Sequence, residues 1–477
     1  MFKKMRLLLI FLALVPLNIF SQDFKIGQQK KVSGLTETIP LVVNNEYAIV
    51  FFPSRPMSIP YMNGLTSVGE ITFRYNDKFL LTKYNLSDLT EKTESFSITK
   101  KNYFNTYYST KEKLYIISSK KSSKDNSLSY FVDVVNFDSF EQEVKNKEII
   151  KFKDGRKRKL FYFKKNDTEF DLIFTSVKLI DNNIIYDYFH VSKDFSVLNY
   201  MKIPIKSEIS NWKYSASIKN EKLVLFMKNL TSYKTDLFFY STIGVLNIDT
   251  DTFKFSEYKM PKNRFIKDFK ILNADNNIEI LSLLLDANYR AKELYVFSED
   301  ASDHLTIKIP DLFVESLIKS FKFYDNSGLD YRFKLIDKNI FSIESFIKIK
   351  DLNRGYTYYK YGPALIFNFD DNSIEWYHII QSDNDLSLQS NLCFLKSDSN
   401  LFVLYKRKKQ YLCEQINIEN GTFLKINTEK LQDKKFKHAR IFNYIYTKDF
   451  NFFYLSKNWE SSNPFGVNNM YPVYFLK

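Results

Sequence analysis

The sequence predicts an all-β fold of four-stranded antiparallel meanders, repeated and set radially around an axis. Three observations predict it. A short polar turn recurs between apolar runs, a second turn motif recurs downstream of it, and the composition favours strand formers over glycine. The first turn is centred on Asn45, Glu112, Asp167, Asn220, Asn276, Lys338, Ser399 and Asp449, at intervals of 50 to 67 residues. A period of this length over a whole chain marks stacked small sheets, because one such sheet cannot bury both faces alone.

The second motif places Asn136, Asn247, Asn368 and Asn417 between apolar residues, with Asp138, Asp249, Asp370 and Glu419 two positions on. Its spacing is one or two periods of the first turn, so each unit reads strand, turn, strand, loop, strand, turn, strand. The 33 Tyr and 46 Phe suit pleated, packed surfaces. Only 11 Gly and 11 Pro are present, so Asn, Asp, Lys and Ser must make the turns, through side chains that bond their own backbone.

On these markers residues 22–477 resemble the β-propeller superfamily, without the WD, Kelch or Asp-box signatures of particular propeller families. The resemblance implies one domain of four-stranded antiparallel blades. Eight turns imply eight blades, or seven if one hairpin elaborates a neighbouring blade. The last unit supplies two strands around Asp449 and one at Tyr471–Leu476. Its fourth strand is expected from the N-terminal segment around Asp23 to Val32, which would close the ring.

Residues 1–21 read as a signal peptide. Lys3, Lys4 and Arg6 precede the apolar stretch Leu7–Phe20, and Ser21 suits cleavage before Gln22. The Phe-Ser-Gln ending resembles signals of secreted Bacteroidota proteins; an uncleaved anchor is the alternative. No cysteine lies near the cleavage point, so a lipid anchor is not expected, and the mature chain is expected to be periplasmic or secreted. Removing three cations lowers the net charge from +14 to +11. With no nucleic-acid motif, anionic glycans or envelope polymers fit this charge better than nucleic acid. Cys393 and Cys413 fall two strands apart in one meander, about 9–10 Å, beyond the roughly 7 Å Cα limit of a disulfide. Two free, buried thiols are therefore expected.

No motif commits the chain to a reaction. His190, His304, His378 and His438 fall in four different units without ligand spacing, and there is no nucleophile elbow, phosphate loop or dinucleotide fingerprint. Asp249 with Asp251, and Asp370 with Asp371, occupy turns without a full set of calcium ligands. Neither metal nor cofactor is expected. Lys164, Lys165, Lys213, Lys270, Lys334 and Lys396 outnumber Glu37 and Asp268 on the expected innermost strands, which weighs against a two-carboxylate glycosidase.

The long connections Pro53–Gly64 and Asn458–Met470 carry several of the rare Pro and Gly residues and Trp459, and would meet at the closure seam beside the turn Lys406–Lys409. Tyr61, Trp459 and Phe465 are candidates for stacking sugar rings, with Arg55, Lys406 and Arg407 for pairing anionic groups. The plainer reading is that these loops only cover the seam. The basic run Lys151–Lys165 reads as an exposed turn and charged strand edge. The function expected is an exported, non-enzymatic propeller that binds a glycan, envelope polymer or protein. The alternatives are a polysaccharide hydrolase or lyase, which needs carboxylates or a Tyr/His pair converging in one pocket, and a structural part of a surface assembly.

Overall fold

Unbroken apolar runs mark strands buried on both faces, and the computed structural model shows what each face meets. In Tyr47–Phe52, Ile49 and Phe51 pack with Leu114 and Ile116 of the next repeat. The alternate residues Ala48, Val50 and Phe52 pack with Phe452, Tyr454 and Met470 of the last repeat. Strand parity thus turns one run into two interfaces. The structure describes most of residues 24–475; residues 1–23, 476–477 and a set of connecting segments, the longest being 443–451, 458–466 and 322–328, lie outside the description, as do some side chains within strands. The expected signal peptide falls in the undescribed part.

The chain is a β-propeller. All eight four-stranded antiparallel meanders are present, beginning with Ile39–Val43, Tyr47–Phe52, Lys78–Asn85 and Glu91–Ser97. Counted as hydrogen-bonded sheets, however, they make seven blades, the stated alternative to eight. The fourth repeat, from Trp212, and the fifth, from Phe265, share one eight-stranded sheet through the pair Tyr240↔Ile266. The count falls because two repeats fuse, not because a hairpin is spent on elaboration. An elaborating hairpin does exist: Met57–Asn63 pairs with Thr66–Phe73 inside repeat 1, in the region read as a long connection.

The N-terminal strand closes the ring as expected. Phe24–Ile26 pairs with the last strand, Val467–Phe475, in register Phe24↔Phe475, and Lys30–Ser33 pairs along its other half, in register Lys30↔Met470. Phe24 is buried against Phe453 and Phe475. Cys393 and Cys413 both lie opposite Leu404 on the intervening strand, so they stand two strands apart, form no disulfide and are buried. Burial pushes the Cys413 thiol well above its ordinary range.

The two sequence markers are the two ends of one hydrogen bond. The amide after the motif asparagine, at Phe137 and Ile418, donates to the first-turn carbonyls of Glu112 and Ser399, at 2.8 and 3.0 Å. Leu86 to Glu46 and Phe369 to Asn339 repeat the bond at 2.8 Å. The Asn417 side chain accepts from the amides of Glu419 and Asn420, at 3.0 and 3.1 Å, and Asn136 accepts likewise from Asp138 and Ser139. The residue four positions on then closes the turn in the left-handed region: Leu89, Phe140 and Gly421, with φ of 58°, 60° and 69°.

One element was not foreseen. The helix Asp311–Ser320 follows repeat 5 and buries Phe313 and Leu317 in the core between repeats 5 and 6.

Asn417→Ala should lower the unfolding free energy by about 1 kcal/mol, through loss of the one side-chain oxygen that accepts from two backbone amides, whereas Glu419→Gln should stay within about 0.5 kcal/mol. Gly421→Ala should cost about 1–3 kcal/mol, because its Cβ would lie 2.5 Å from Trp376 Cγ at a left-handed φ. Denaturant titration of the three variants checks the ranking.

Candidate functional site

The seam is where the two chain ends meet to close the ring, and a lysine crosses it. Lys30, on the closing strand, reaches into repeat 1 and donates to Thr82 Oγ1, Glu91 Oε2 and Thr93 Oγ1 at 3.0, 3.0 and 3.1 Å. Its ammonium lies 5.2 Å from the Phe52 ring centre and 5.6 Å from that of Tyr84. The side chain is only 13 % exposed. Burial lowers its pKa, outweighing the opposing pull of Glu91. Lys25 crosses the same junction to the Ser87 carbonyl at 2.9 Å.

Beside this clasp lies a cleft of about 920 Å³. Tyr474 and Lys25 of the last blade form one wall, Tyr47, Lys83 and Glu91 of repeat 1 another, and Asp138 of repeat 2 adds the rim. Lys83 Nζ lies 4.1 Å from the Tyr47 ring centre and 3.7 Å from Asp138. Glu46 and Lys92 also line the cleft, so among the described residues its lining carries three lysines and three carboxylates and is balanced in charge. Tyr47 follows a first turn and Leu86 precedes a second, so the cleft opens at the turn end of the blades.

The residues expected from sequence belong to connections between second and third strands, at the opposite end. Lys406 and Arg407 end the strand Asn400–Arg407; Arg407 is exposed and Lys406 Nζ sits 5.2 Å from the Tyr411 ring centre of its own sheet. Tyr61 lies on the elaborating strand, in register with Gly69, and its side chain is outside the described residues. Arg55, Trp459 and Phe465 are outside them too. The structure does bring first and last repeats together, through the core of Ala48, Val50, Phe52, Tyr84, Phe452 and Tyr454.

Groups suited to acid–base chemistry are tied to partners. Asp330 and Asp337, on an innermost strand, add carboxylates beyond those counted from sequence. Lys267 pairs with Asp330, Lys396 with Asp337 at 2.7 Å, and Lys334 with buried Glu344. A tyrosine and a histidine do meet a carboxylate: Tyr188 Oη donates to Asp171 at 2.8 Å and His190 Nδ1 lies 3.1 Å from the same oxygen. His190 Nε2 faces Glu169 at 2.9 Å, so both ring nitrogens are engaged, and the group lines neither described cleft. Among the described residues no group of three or more His, Cys, Asp and Glu side chains is placed to hold a metal ion, and no helix is long and apolar enough to cross a membrane. Arg158, read as part of an exposed basic run, is buried and bonded through Nε to Asp187 at 2.6 Å.

No family model matches the chain, and no curated protein matches it. Among solved structures it is similar to the β-propeller domain of the Trilobed protease from Pyrococcus furiosus, at 8 % identity and TM-score 0.36, over 84 % of this chain and 99 % of that one. It is similar to a putative 6-phosphogluconolactonase from Bacteroides uniformis, at 10 % identity and TM-score 0.39, over 81 % and 96 %. Polysaccharide lyase Uly1 matches at 10 % identity and TM-score 0.37, over 95 % and 100 %. These likenesses carry no activity to this chain, and the fold stands on its own sheets and closure.

The seam lysine sets a pH dependence. Because the folded state lowers the Lys30 pKa, the unfolded chain binds more protons in the window below 10.5, so this contribution to stability rises with pH through that window. Lys30→Met should flatten that rise, measured as unfolding free energy against pH.

Proposed function

We propose that the protein is an exported, non-enzymatic binding propeller and that its ligand is a glycan held in the seam cleft. The observation that carries this reading is the balanced mixture of donors and acceptors around two tyrosines. A sugar hydroxyl both donates and accepts, so it suits a lining of lysines and carboxylates alike, while the apolar face of a ring stacks on Tyr47. The cleft volume of about 920 Å³ falls within the range of ligand sites.

Binding is favoured over hydrolysis because two cleft carboxylates already serve as ion-pair partners, Glu91 to Lys30 and Asp138 to Lys83. The opposite end of the seam, with Arg55, Tyr61, Lys406, Arg407, Trp459 and Phe465, stays a proposed second contact surface.

Retention of the full chain on purified envelope polysaccharide tests the reading. Tyr47→Ala with Lys83→Ala should weaken retention about tenfold or more, a loss of about 1.4 kcal/mol, and Arg55→Ala with Trp459→Ala should not. The reverse pattern moves the ligand to the other end of the seam. New reducing ends or unsaturated products during incubation would show a hydrolase or lyase and reject the non-enzymatic reading.

A further inference from the structure

A second cleft, of about 520 Å³, lies between repeats 2 and 3 and has a different chemistry. We propose that it binds an anionic saccharide, carboxylated or sulfated, independently of the seam. One wall is the outer strand of repeat 2, Gln142–Phe152; the other is formed by Asn183–Val191 and Val197–Lys206 of repeat 3. Among the described residues, Lys151, Lys153, Arg158 and Lys202 line it against a single acid, Asp187.

The floor is aromatic and fixed. The ring centroids of Phe152 and Phe189 lie 5.8 Å apart, and those of Phe189 and Tyr200 4.7 Å apart at a 32° tilt. Arg158 Nε donates to one oxygen of Asp187 at 2.6 Å, and the Tyr200 hydroxyl donates to the other at 2.9 Å. The guanidinium also lies 5.2 Å from the Phe152 ring centre. Arg158 and Asp187 are buried, whereas Tyr200 is 48 % exposed. The buried pair therefore anchors the hydroxyl of a ring whose surface remains open.

Lys202 stands beside this ring, because Asp187↔Lys202 and Phe189↔Tyr200 are paired positions on one face of the sheet. Lys151 and Lys153 flank the cleft from the other blade, Lys151 bonded to Asp125 at 2.7 Å. A fixed ring between cations from two blades suits a ligand with an apolar face and an anionic substituent at its edge. A sugar ring with a carboxylate or sulfate has both. A nucleic-acid strand would call for a longer groove with successive stacking platforms, and among the described residues this cleft has one exposed ring.

Calorimetric titration of the full chain tests the proposal with four probes: a uronate trisaccharide, its neutral methyl ester, a sulfated disaccharide and a single-stranded oligonucleotide. At least one acidic saccharide should bind. For the uronate, esterification should weaken binding about tenfold or more, and raising salt from about 50 to about 500 mM should weaken it as well. K153A with K202A, and Tyr200→Ala, should each cost about tenfold, while Tyr200→Phe, which keeps the ring, should stay within about threefold. Tyr47→Ala at the seam should change nothing here, so failure of one cleft is distinguishable from failure of the other. Unchanged thermal melting of K153A/K202A verifies folding. Binding of neither acidic saccharide, equal binding of uronate and ester, or tighter oligonucleotide binding lost in the same variants overturns the proposal.

Discussion

The hydrogen bond from the end of the third strand to the carbonyl of the first turn is the constraint on which the propeller depends. Phe137 to Glu112 is one instance, and repeats 1, 6 and 7 repeat it. It ties three strands together at the end of the blade where the ladder would otherwise fray. Once this end is fixed, the side-chain period of two decides which residues of the central strand face each neighbour, because a slip of one residue would exchange the two faces. In Tyr47–Phe52 the odd and even sets meet different blades, so register within one blade determines packing on both sides.

The left-handed turn residues show what this constraint costs and how the cost is offset. A left-handed φ is uncommon for residues such as Leu89 and Phe140. Both side chains are buried at the blade interfaces, Leu89 at the seam and Phe140 between repeats 1 and 2. Repeat 7 meets the same geometric demand with Gly421, and the space is taken by Trp376 of the preceding repeat, whose Nε1 donates to the Ile418 carbonyl at 3.1 Å. One turn geometry thus accepts either a buried side chain of its own or one from the neighbouring blade. This explains how the repeat survives with little glycine.

Much of the fold was legible because these demands recur. Asn136 and Asn417 are needed as amide acceptors, and the apolar residue after each is needed at the hydrogen bond, so both leave a periodic trace. Closure by Phe24–Ile26 was legible because the last repeat lacked a strand. The blade count was not, since the fusion of repeats 4 and 5 rests on a backbone pair, Tyr240↔Ile266, that no residue type requires. The helix Asp311–Ser320 occurs once and so leaves no period to detect. The role of Arg158 was hidden because a cation in a basic run looks the same whether it faces solvent or the buried Asp187, which lies 29 residues away.

The two clefts follow from the geometry that the hydrogen bond imposes. Meanders packed around an axis are close together at their inner strands and diverge toward their outer ones, so the space between blades widens outward. Where outer residues are apolar and long enough, they fill the wedge. Where they are lysines or a half-exposed tyrosine, solvent enters, as between Phe152 and Tyr200, whereas the cleft between Tyr474 and Tyr47 opens at the turn end of the blades. Each cleft then takes its walls from at least two repeats, and no single repeat contains the pattern of its site. Periodicity therefore reveals the scaffold and conceals the chemistry: what repeats is what holds a blade together, and the ligand-facing residues are those free to differ.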